Sequence, residues 1–404
     1  MRKILLIILV IPAFACCGSK TAEKNAESSS SYYIPEDAIP FEVDGHIYLN
    51  ALLNGKDNCR LLFDTGADML YLDKDFCRLD SVDLADRMKI KASLSGVGEG
   101  TQFVDLVMDT VTVSAVNLEE RFGRTVILGL RDIVGCRADG IVGMDNFMDK
   151  PLEINFEHSY LRNLDTVRHE MLQGYTGLPV RIDKAGRVYL DLEVQFPGKQ
   201  VAGSFILDLG SRSGISIACG CAEENALDEI DVDRKTGHFL NGGIGGGSSR
   251  VYITSEAVII GQDTLKGVEV SYSLDKKGAL GMQKEYAGLA GIEIFSSRYN
   301  IILDFDGKVL YLSPFQAEKK AEGVDRGFRT VDRTDIGAGW IVNYMEDNSP
   351  ASMAGLVLGD TIMAVNGYPV DNNSYRTLMP LLDTASVIDL DIKGKNGKLR
   401  KVSL

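Results

Sequence analysis

Two aspartates in this sequence each follow three apolar residues and precede a glycine by two positions. Asp64 lies in the run LLFDTGA, and Asp208 lies in the run FILDLGS. A carboxylate between an apolar strand and a glycine marks a tight turn at the end of a buried strand. One such motif alone is typical of an ordinary Asx turn, whereas two matching copies indicate a pair of carboxylates that act together.

Paired carboxylates have a defined acid–base chemistry. Two carboxyl groups within hydrogen-bond distance cannot both ionise at low cost, so they share one proton and titrate as a pair. The ionised member can act as a base toward a bound water, while the protonated member polarises the carbonyl group under attack. The motifs therefore predict amide hydrolysis by Asp64 and Asp208 without a covalent intermediate, a metal or a cofactor.

The two motifs belong to an internal repeat. Each is preceded by alternating apolar residues after Pro40 or Pro179, and each is followed by a glycine-rich stretch, at 96–100 or 242–247. Each copy then has an apolar pair before a glycine and a last strand with a polar residue: Ile141-Val142-Gly143 and Glu153-Ile154-Asn155-Phe156, then Leu289-Ala290-Gly291 and Ile302-Leu303-Asp304-Phe305. This repeat is too long for a solenoid unit and predicts two duplicated lobes.

The elements that position these motifs are predicted to be short strands. The apolar runs are rich in β-branched and aromatic residues, and the chain has 42 glycines but one tryptophan. This composition predicts a mainly β fold of two antiparallel lobes, with helices only at Asp80–Lys91 and Cys221–Asp233. A pseudo-twofold relation between the lobes would bring Asp64 and Asp208 together across a cleft.

The first motif, the glycine-rich stretch and Ile141-Val142-Gly143 together resemble the retropepsin-like and pepsin-like aspartic proteases. The resemblance covers residues 40–315 and implies two β-barrel lobes, at 40–170 and 171–315, around an extended polypeptide substrate. It implies that Asp64 and Asp208 are the catalytic dyad. The residues implied to support the dyad are Thr65, Gly66, Gly210 and Ser211. The residues implied to form flaps over the peptide are Gly96, Val97, Gly98, Gly243, Ile244 and Gly245.

The second motif departs from the family pattern at Leu209, where Thr or Ser is usual. In the family, the hydroxyl after each aspartate hydrogen-bonds to the opposite lobe, which Thr65 can do and Leu209 cannot. A lost buried hydrogen bond costs about 1 to 3 kcal/mol if its partner stays unsatisfied, and catalysis falls steeply with small misplacement. Two hypotheses follow: an active endopeptidase, and a non-catalytic peptide-binding lipoprotein.

Residues 325–404 are predicted to form a separate module after a polar linker at 316–323. The segments that carry this prediction are Gly337-Ala338-Gly339-Trp340, Ser349-Pro350-Ala351, Ala354-Gly355-Leu356 and Gly359-Asp360-Thr361-Ile362, and together they resemble a bacterial PDZ domain. The resemblance implies that Gly337, Ala338, Gly339 and Trp340 form a loop whose N–H groups receive a peptide C-terminus beside an open strand edge. The alternative is a PDZ fold that only packs against the lobes.

The first residues have the pattern of an export signal. A basic start, an apolar run over 4–11 and small residues before Cys16 resemble the signal peptide and lipobox of bacterial lipoproteins. We expect a signal peptide at 1–15, a lipid on Cys16 and an anchor and tether at 16–39. This implies a periplasmic protein of the bacterial cell envelope, anchored to the membrane. A plain secretory signal with cleavage nearby is the alternative.

The charge balance argues against nucleic acid as a partner. The chain has 57 acidic and 43 basic side chains, a formal net charge of -14, and no basic stripe that would offset it. The cysteines after the anchor are expected to be small buried thiols or to form one disulfide, for which Cys59 and Cys77 are candidates.

Overall fold

A computed structural model describes residues 34–404, apart from residues 80, 81, 83, 85, 86, 117, 146 and 316–323. The predicted signal peptide, Cys16, most of the tether and the linker at 316–323 therefore lie outside the described residues. Contacts join Glu36–Leu404 into one unit. The described residues are mainly β, which confirms the predicted fold class. Among them, no helix has both the length and the apolar composition needed to cross a bilayer.

The first lobe is built from short strands whose apolar residues face a common core. Its strands are β1 (Ile39–Val43), β2 (Ile47–Leu53), β3 (Asp57–Phe63), β4 (Leu70–Asp73), β5 (Lys89–Ser95), β6 (Thr101–Val107), β7 (Val111–Ala115), β8 (Leu118–Phe122), β9 (Thr125–Leu128), β10 (Gly140–Val142), β11 (Leu152–Asn155) and β12 (Tyr160–Asn163). Its helices are α1 (Lys74–Leu79) and α2 (Arg131–Val134), and a 3-10 helix at His169–Leu172 leads out of it.

The second lobe contains an equivalent set of strands. They are β13 (Thr176–Ile182), β14 (Val188–Phe196), β15 (Lys199–Asp208), β16 (Ile215–Ile217), β17 (Arg234–Phe239), β18 (Ser248–Thr254), β19 (Ala257–Ile260), β20 (Asp263–Lys266), β21 (Glu269–Ser273), β22 (Gly288–Gly291), β23 (Tyr299–Asp304) and β24 (Val309–Pro314). Its helices are α3 (Cys219–Glu224) and α4 (Ile292–Ser296), with a 3-10 helix at Leu227–Glu229.

The two lobes repeat one order of strand pairing. In the first lobe, β3 pairs in parallel with β10, β10 pairs antiparallel with β4, and β4 pairs in parallel with β9. Strands β15, β22, β16 and β21 repeat these pairings in the same sense. The hairpin β5–β6 corresponds to the hairpin β17–β18, and each joins its lobe through the second strand. The repeat in the sequence is therefore a repeat of topology.

A six-stranded sheet joins the lobes in the order β1–β12–β11–β23–β24–β13. Its central pair is β11–β23, in which Glu153 lies opposite Ile302. The order is unchanged when the lobes are exchanged, so a pseudo-twofold axis passes between β11 and β23. The strands that end each repeat in the sequence thus hold the two lobes together.

Both predicted helices are wrong in their bounds. The last residues of the helix predicted at Asp80–Lys91 belong to strand β5 (Lys89–Ser95). The helix of this region is α1, which begins earlier in the chain. It begins there because the Asp73 carboxylate accepts hydrogen bonds from the N–H groups of Asp75 (2.7 Å) and Phe76 (3.0 Å). The helix predicted at Cys221–Asp233 ends as α3 at Glu224. Soon afterwards the backbone of Ala226 adopts a left-handed conformation with φ of 47°, which a continuing helix cannot include.

The C-terminal residues form a module with its own core. Its strands are β25 (Phe328–Asp332), β26 (Trp340–Glu346), β27 (Thr361–Val365), β28 (Tyr368–Pro369), β29 (Asp389–Lys393) and β30 (Leu399–Ser403). Its helices are α5 (Pro350–Met353) and α6 (Tyr375–Thr384), with a 3-10 helix at Thr334–Ile336. Trp340, Val342 and Ile392 are among the fully buried residues of this core, which is distinct from the core of the lobes.

The described cysteines carry free thiols. They are Cys59, Cys77, Cys136, Cys219 and Cys221. No disulfide joins Cys59 to Cys77, and burial raises the pKa of each thiol to about 12. These two side chains therefore belong to the apolar core as small protonated thiols.

Candidate active site

The two aspartates lie on matching turns at the ends of parallel strand pairs. Asp64 directly follows β3, and its N–H donates to the Val142 carbonyl of β10 (3.1 Å). Asp208 ends β15 and lies opposite Gly291 of β22. Because the strands beneath them are buried and paired on both sides, both carboxyl groups are held at defined positions, half-buried and facing one cleft.

The turns of the two lobes interlock at the carboxyl groups. A side-chain carbon placed on Gly66 would come within 2.8 Å of an Asp208 oxygen, and one placed on Gly210 within 2.4 Å of both Asp64 oxygens. Only glycine leaves room for such an approach. The glycine of each motif thus admits the carboxylate of the other lobe, and the structure brings Asp64 and Asp208 together.

The two carboxyl groups hydrogen-bond to each other, an arrangement that favours one proton on the pair. Burial raises the pKa of Asp208 well above its usual value, and the negative charge of Asp64 and the hydrogen bond from Asp208 to Asp64 raise it further. Burial also raises the pKa of Asp64, but hydrogen bonds to its carboxylate from Gly66, Asp208 and Gly210 partly offset this. The Gly66 N–H donates over 2.7 Å. Both pKa values are raised, so the pair retains a proton to higher pH than two separate carboxyl groups would.

Thr65 connects the two turns as the resemblance implies. Its buried hydroxyl donates to the Leu207 carbonyl (2.8 Å) and accepts from the Leu209 N–H (2.9 Å). Leu209 is fully buried in the apolar core and cannot return these contacts. One half of the interlobe connection is therefore present, and an apolar side chain stands in place of the other half.

Each turn rests on the strand that carries the apolar pair and glycine. The Gly143 N–H donates to Met69 (2.9 Å), and the Gly291 N–H donates to Gly214 (2.7 Å). A side-chain carbon on Gly143 would lie 2.7 Å from the backbone of Ala67, and one on Gly291 would lie 2.0 Å from the Ser213 carbonyl. The glycines predicted by the repeat are thus required for backbone contact beneath the dyad.

The two glycine-rich stretches meet above the dyad cleft. The N–H of Gly98 donates to the Ile244 carbonyl (3.0 Å), and the N–H of Gly100 donates to the Gly245 carbonyl (2.9 Å). Gly96, Val97, Gly243 and Ile244 line the cleft. The tips of the hairpins β5–β6 and β17–β18 therefore hydrogen-bond to each other across the lobes.

Each hairpin tip packs a side chain against the opposite lobe. Val97, from the first hairpin, packs against the second-lobe cluster that contains Tyr189, Ile206 and Leu289. Ile244, from the second hairpin, packs against the first-lobe cluster that contains Tyr48, Leu62 and Tyr71. This reciprocal packing follows the pseudo-twofold axis and stabilises the closed arrangement of the tips.

A row of serine hydroxyls lies next to Asp208. Of these serines, the sequence predicted only Ser211 as a site residue. Ser211 donates its N–H to the backbone carbonyl of Asp208 (3.0 Å), while its hydroxyl bonds to Ser213 (2.9 Å). Further hydroxyl contacts join Ser213 to Ser216 (2.8 Å) and Ser216 to Ser271 (3.0 Å). The Ser-x-Ser spacing directly after the second motif is the signal that could have indicated the first contact.

His46 and Arg212 also line the cleft and were not predicted. His46 is buried, and its Nδ1 has no hydrogen-bond partner among the described residues. Burial, followed by the charge of Arg212, lowers the pKa of His46 well below its usual value, so the ring is neutral. The Arg212 guanidinium donates to the Asp44 carbonyl (3.0 Å). The cleft thus has a neutral imidazole and a cation near the dyad.

The loop predicted to receive a peptide C-terminus is occupied by its own hydrogen bonds. The N–H groups of Gly337 and Ala338 donate to the carbonyls of Thr334 (2.9 Å) and Arg333 (3.0 Å), and the Gly339 carbonyl accepts from the Arg333 N–H (2.9 Å). Trp340 is fully buried in the module core. The loop closes on itself because a 3-10 turn precedes it, so these donors do not face a ligand.

Comparisons with known proteins include a solved structure with low similarity to this chain. No protein-family model matches the sequence. No curated protein matches it either. The chain is similar to the crystal structure of basic 7S globulin from soybean, with a TM-score of 0.40 and 10% sequence identity over 69% of this chain and 95% of that chain.

Proposed function

We propose that this protein is an aspartic endopeptidase that hydrolyses peptide bonds with a water activated between Asp64 and Asp208. The observation that carries the proposal is the hydrogen-bonded carboxyl pair, which lines a cleft of about 1190 Å³. A shared proton provides a base and an acid at one place, which is the requirement for attack of water on an amide.

The unequal surroundings of the two carboxyl groups support distinct roles. Asp64, the ionised member, takes a proton from the water as its oxygen attacks the carbonyl carbon. Asp208 donates its hydrogen bond and then its proton to the carbonyl oxygen, which gives a neutral tetrahedral diol. Asp64 then returns its proton to the amide nitrogen, the C–N bond breaks as a hydroxyl of the diol gives its proton to Asp208, and the pair again holds one proton.

The hairpin tips support a polypeptide as the substrate. An extended chain offers backbone N–H and C=O groups at a regular spacing, which strand edges and glycine-rich loops can bind. The tips of both hairpins form the roof of the same cleft that contains the dyad. The tip contacts must therefore open for a chain to bind, and the glycines permit that movement.

A second candidate is a non-catalytic peptide-binding protein, and Leu209 favours it. With one half of the interlobe hydroxyl contacts replaced by a buried leucine, the dyad has less positional support than in the family pattern. Loss of geometry at a catalytic pair lowers the rate more than it lowers binding. The same fold and cleft would then bind unfolded polypeptide without cleaving it.

Hydrolysis of reduced, carboxymethylated casein between pH 3 and pH 7 tests the proposal. We expect cleavage with a bell-shaped pH dependence, because activity requires one proton on the pair and the raised pKa of Asp208 retains that proton as the pH rises. Asp64→Asn and Asp208→Asn should each lower kcat/KM by about a thousandfold or more. The control is Asp191→Asn, a carboxylate on β14 outside the cleft lining. Casein binding without dyad-dependent cleavage would favour the second candidate.

The location and the peptide-binding role of the module belong to the same proposal. The apolar run and Cys16 support export and lipid anchoring in the bacterial cell envelope. The separate core of residues 325–404 supports a PDZ-like recognition module. Together they suggest a membrane-anchored enzyme that acts on polypeptides in the periplasm.

A further inference from the structure

Strand β25 of the C-terminal module has an edge without a strand partner. Among the described residues, β25 pairs only with β26. At its last residue, the Asp332 carbonyl accepts from the Cys136 N–H of the first lobe (2.7 Å). Within the part of the chain that the structure describes, the preceding stretch of the strand is therefore open along one side.

The backbone of Thr330 points to this open side. Thr330 lies opposite Val342 of β26. Val342 directs both of its backbone groups to the other side of β26, where its N–H donates to Asp360 (2.8 Å) and its C=O accepts from Gly359 (2.8 Å). In an antiparallel pair, two directly opposed residues either both direct their N–H and C=O groups toward each other or both direct them away from each other. The N–H and C=O of Thr330 thus face away from β26.

The open edge lies on the cleft that contains the dyad. Arg329, Thr330, Val331 and Asp332 line the same continuous cavity as Asp64 and Asp208. Side chains of a strand alternate between faces, so four consecutive residues line a cavity only if the backbone edge itself faces it. The cavity therefore runs from the carboxyl pair to an unpaired strand edge in another part of the chain.

We propose that the module edge and the dyad bind one and the same polypeptide: the substrate adds as a strand to β25 while another part of it lies between Asp64 and Asp208. This proposal rests on the proposed function for its substrate class. The module is then a distant part of the substrate cleft, and its recognition element is the edge at Thr330. Unpaired strand edges bind extended peptides through main-chain hydrogen bonds.

A dependence on substrate length follows from this arrangement. A chain that reaches only the dyad makes no contact with β25, whereas a longer chain gains main-chain hydrogen bonds there. Because these bonds involve backbone atoms, the gain does not require a particular side chain. The expected preference is for long, unfolded polypeptides over short peptides of the same central sequence.

Substitutions at Thr330 test the proposal. Thr330→Pro removes the outward N–H without removing a bond to β26, and an edge position tolerates proline. Thr330→Val retains the N–H and the shape of the side chain and is the matched control. In the Asp64→Asn background, we expect Thr330→Pro to weaken the affinity for fluorescein-labelled carboxymethylated casein by about tenfold and Thr330→Val to leave it unchanged. Equal affinity of the two variants would overturn the proposal.

Hydrogen exchange gives a second measurement that needs no substitution in β25. On saturation of the Asp64→Asn protein with casein, amides of residues 328–332 should gain protection together with the hairpin tips. Protection at the tips alone would overturn the proposal even if Thr330→Pro failed to fold. Casein cleavage is measured separately, in the wild-type chain. If casein binds at β25 but the wild-type chain does not hydrolyse it, only the proposed function is refuted.

Discussion

At the scale of single residues, the dyad depends on contacts that are unequal between the lobes. The Thr65 hydroxyl satisfies two buried backbone groups of the second lobe, the Leu207 C=O and the Leu209 N–H. Leu209 contributes apolar burial instead and lies in the main core. The interlobe hydrogen bonds made by the Thr65 side chain therefore have no counterpart at Leu209.

We expect Thr65→Val to lower the free energy of unfolding by about 2 to 3 kcal/mol, because the substitution leaves two buried backbone groups unsatisfied. Thr65→Ser keeps the hydroxyl and should lower it by less than about 1 kcal/mol. Urea unfolding followed by far-UV circular dichroism measures the difference. Equal losses for the two variants would show that the hydroxyl contacts do not contribute to stability.

At the scale of elements, the two hairpins over the cleft differ in what supports them. Strand β17 of the second hairpin pairs with β26 of the module. The Leu240 N–H donates to the Asn343 carbonyl (2.8 Å), and the Asn343 side chain exchanges hydrogen bonds with the backbone of Asn241. The first hairpin has no such strand pairing among the described residues. We infer that the first hairpin moves more freely when the cleft opens.

Gly98→Ala should separate the hairpin tips. The added carbon would lie 2.5 Å from backbone atoms of Gly245 and Gly246, which cannot yield without a shift of the chain. We expect amide exchange at both tips, 96–100 and 242–247, to accelerate by about tenfold, since hydrogen bonds between the tips are lost. Mass spectrometry of peptides from the exchanged protein measures this effect.

The control for this substitution is Gly123→Ala. Gly123 has no heavy atom within 4 Å of an added carbon. It lies between β8 and β9, outside the hairpins, so the variant should leave exchange at both tips unchanged. Faster exchange in only one tip, or in neither, would contradict a direct hydrogen-bonded contact between them.

At the scale of the whole molecule, buried ion pairs attach the module to the first lobe. Arg333 of the module is almost fully buried and bonds to Asp75 (2.7 Å) and Asp132 of the first lobe. Burial opposes the charge on Asp75, but the hydrogen bond and the charge of Arg333 outweigh it and lower the pKa of this carboxyl. The position of β25 on the cleft therefore depends on buried charges that must stay paired.

Arg333→Met should lower the stability of the module by about 2 kcal/mol at neutral pH, because it removes the charged hydrogen bonds of a buried guanidinium to Asp75 and Asp132. Since the pKa of Asp75 is lowered in the folded state, its contribution is present above the unfolded pKa of about 4 and is lost as the pH falls further. The difference between wild type and variant should therefore shrink in acid. Fluorescence of the single tryptophan, Trp340, follows urea unfolding of the module.

Arg376→Met is the matched control for the buried pair. Arg376 also joins the module to the first lobe, through Glu42, but its side chain is 81% exposed. An exposed ion pair contributes about 0 to 1 kcal/mol, so little change is expected. A loss equal to that of Arg333→Met would show that burial of the ion pairs does not decide the attachment.

The sequence by itself determined the parts of the site that repeat. Two copies of an apolar run, an aspartate and a glycine predict two equivalent turns, because each copy carries its own local requirement for a buried strand and a close backbone contact. The glycines at 66, 143 and 210 meet those requirements in the structure. The glycine-rich stretches likewise predict the hairpin tips, since only glycine permits their backbones to meet.

Local signals were insufficient where a contact elsewhere in the chain decides the conformation. The helix predicted at Asp80–Lys91 loses its last residues to β5, which pairs with β6, and Asp73 begins a helix earlier. The loop at 337–340 has the glycines expected of an anion-binding turn, yet its N–H groups bond to Thr334 and Arg333. In both cases a hydrogen bond to a residue outside the motif decided the conformation of the segment.

Only the tertiary structure decided how the surroundings of the two aspartates differ, how the hairpins differ and what the module faces. Burial and the charge of Asp64 raise the pKa of Asp208, whereas hydrogen bonds to the Asp64 carboxylate partly offset the effect of burial there, a difference that two nearly identical motifs do not encode. The edge of β25 faces the cleft because Arg333 and β17 fix the module against both lobes. Duplication determines equivalent turns within each lobe, whereas long-range packing and buried charge determine how those turns are used.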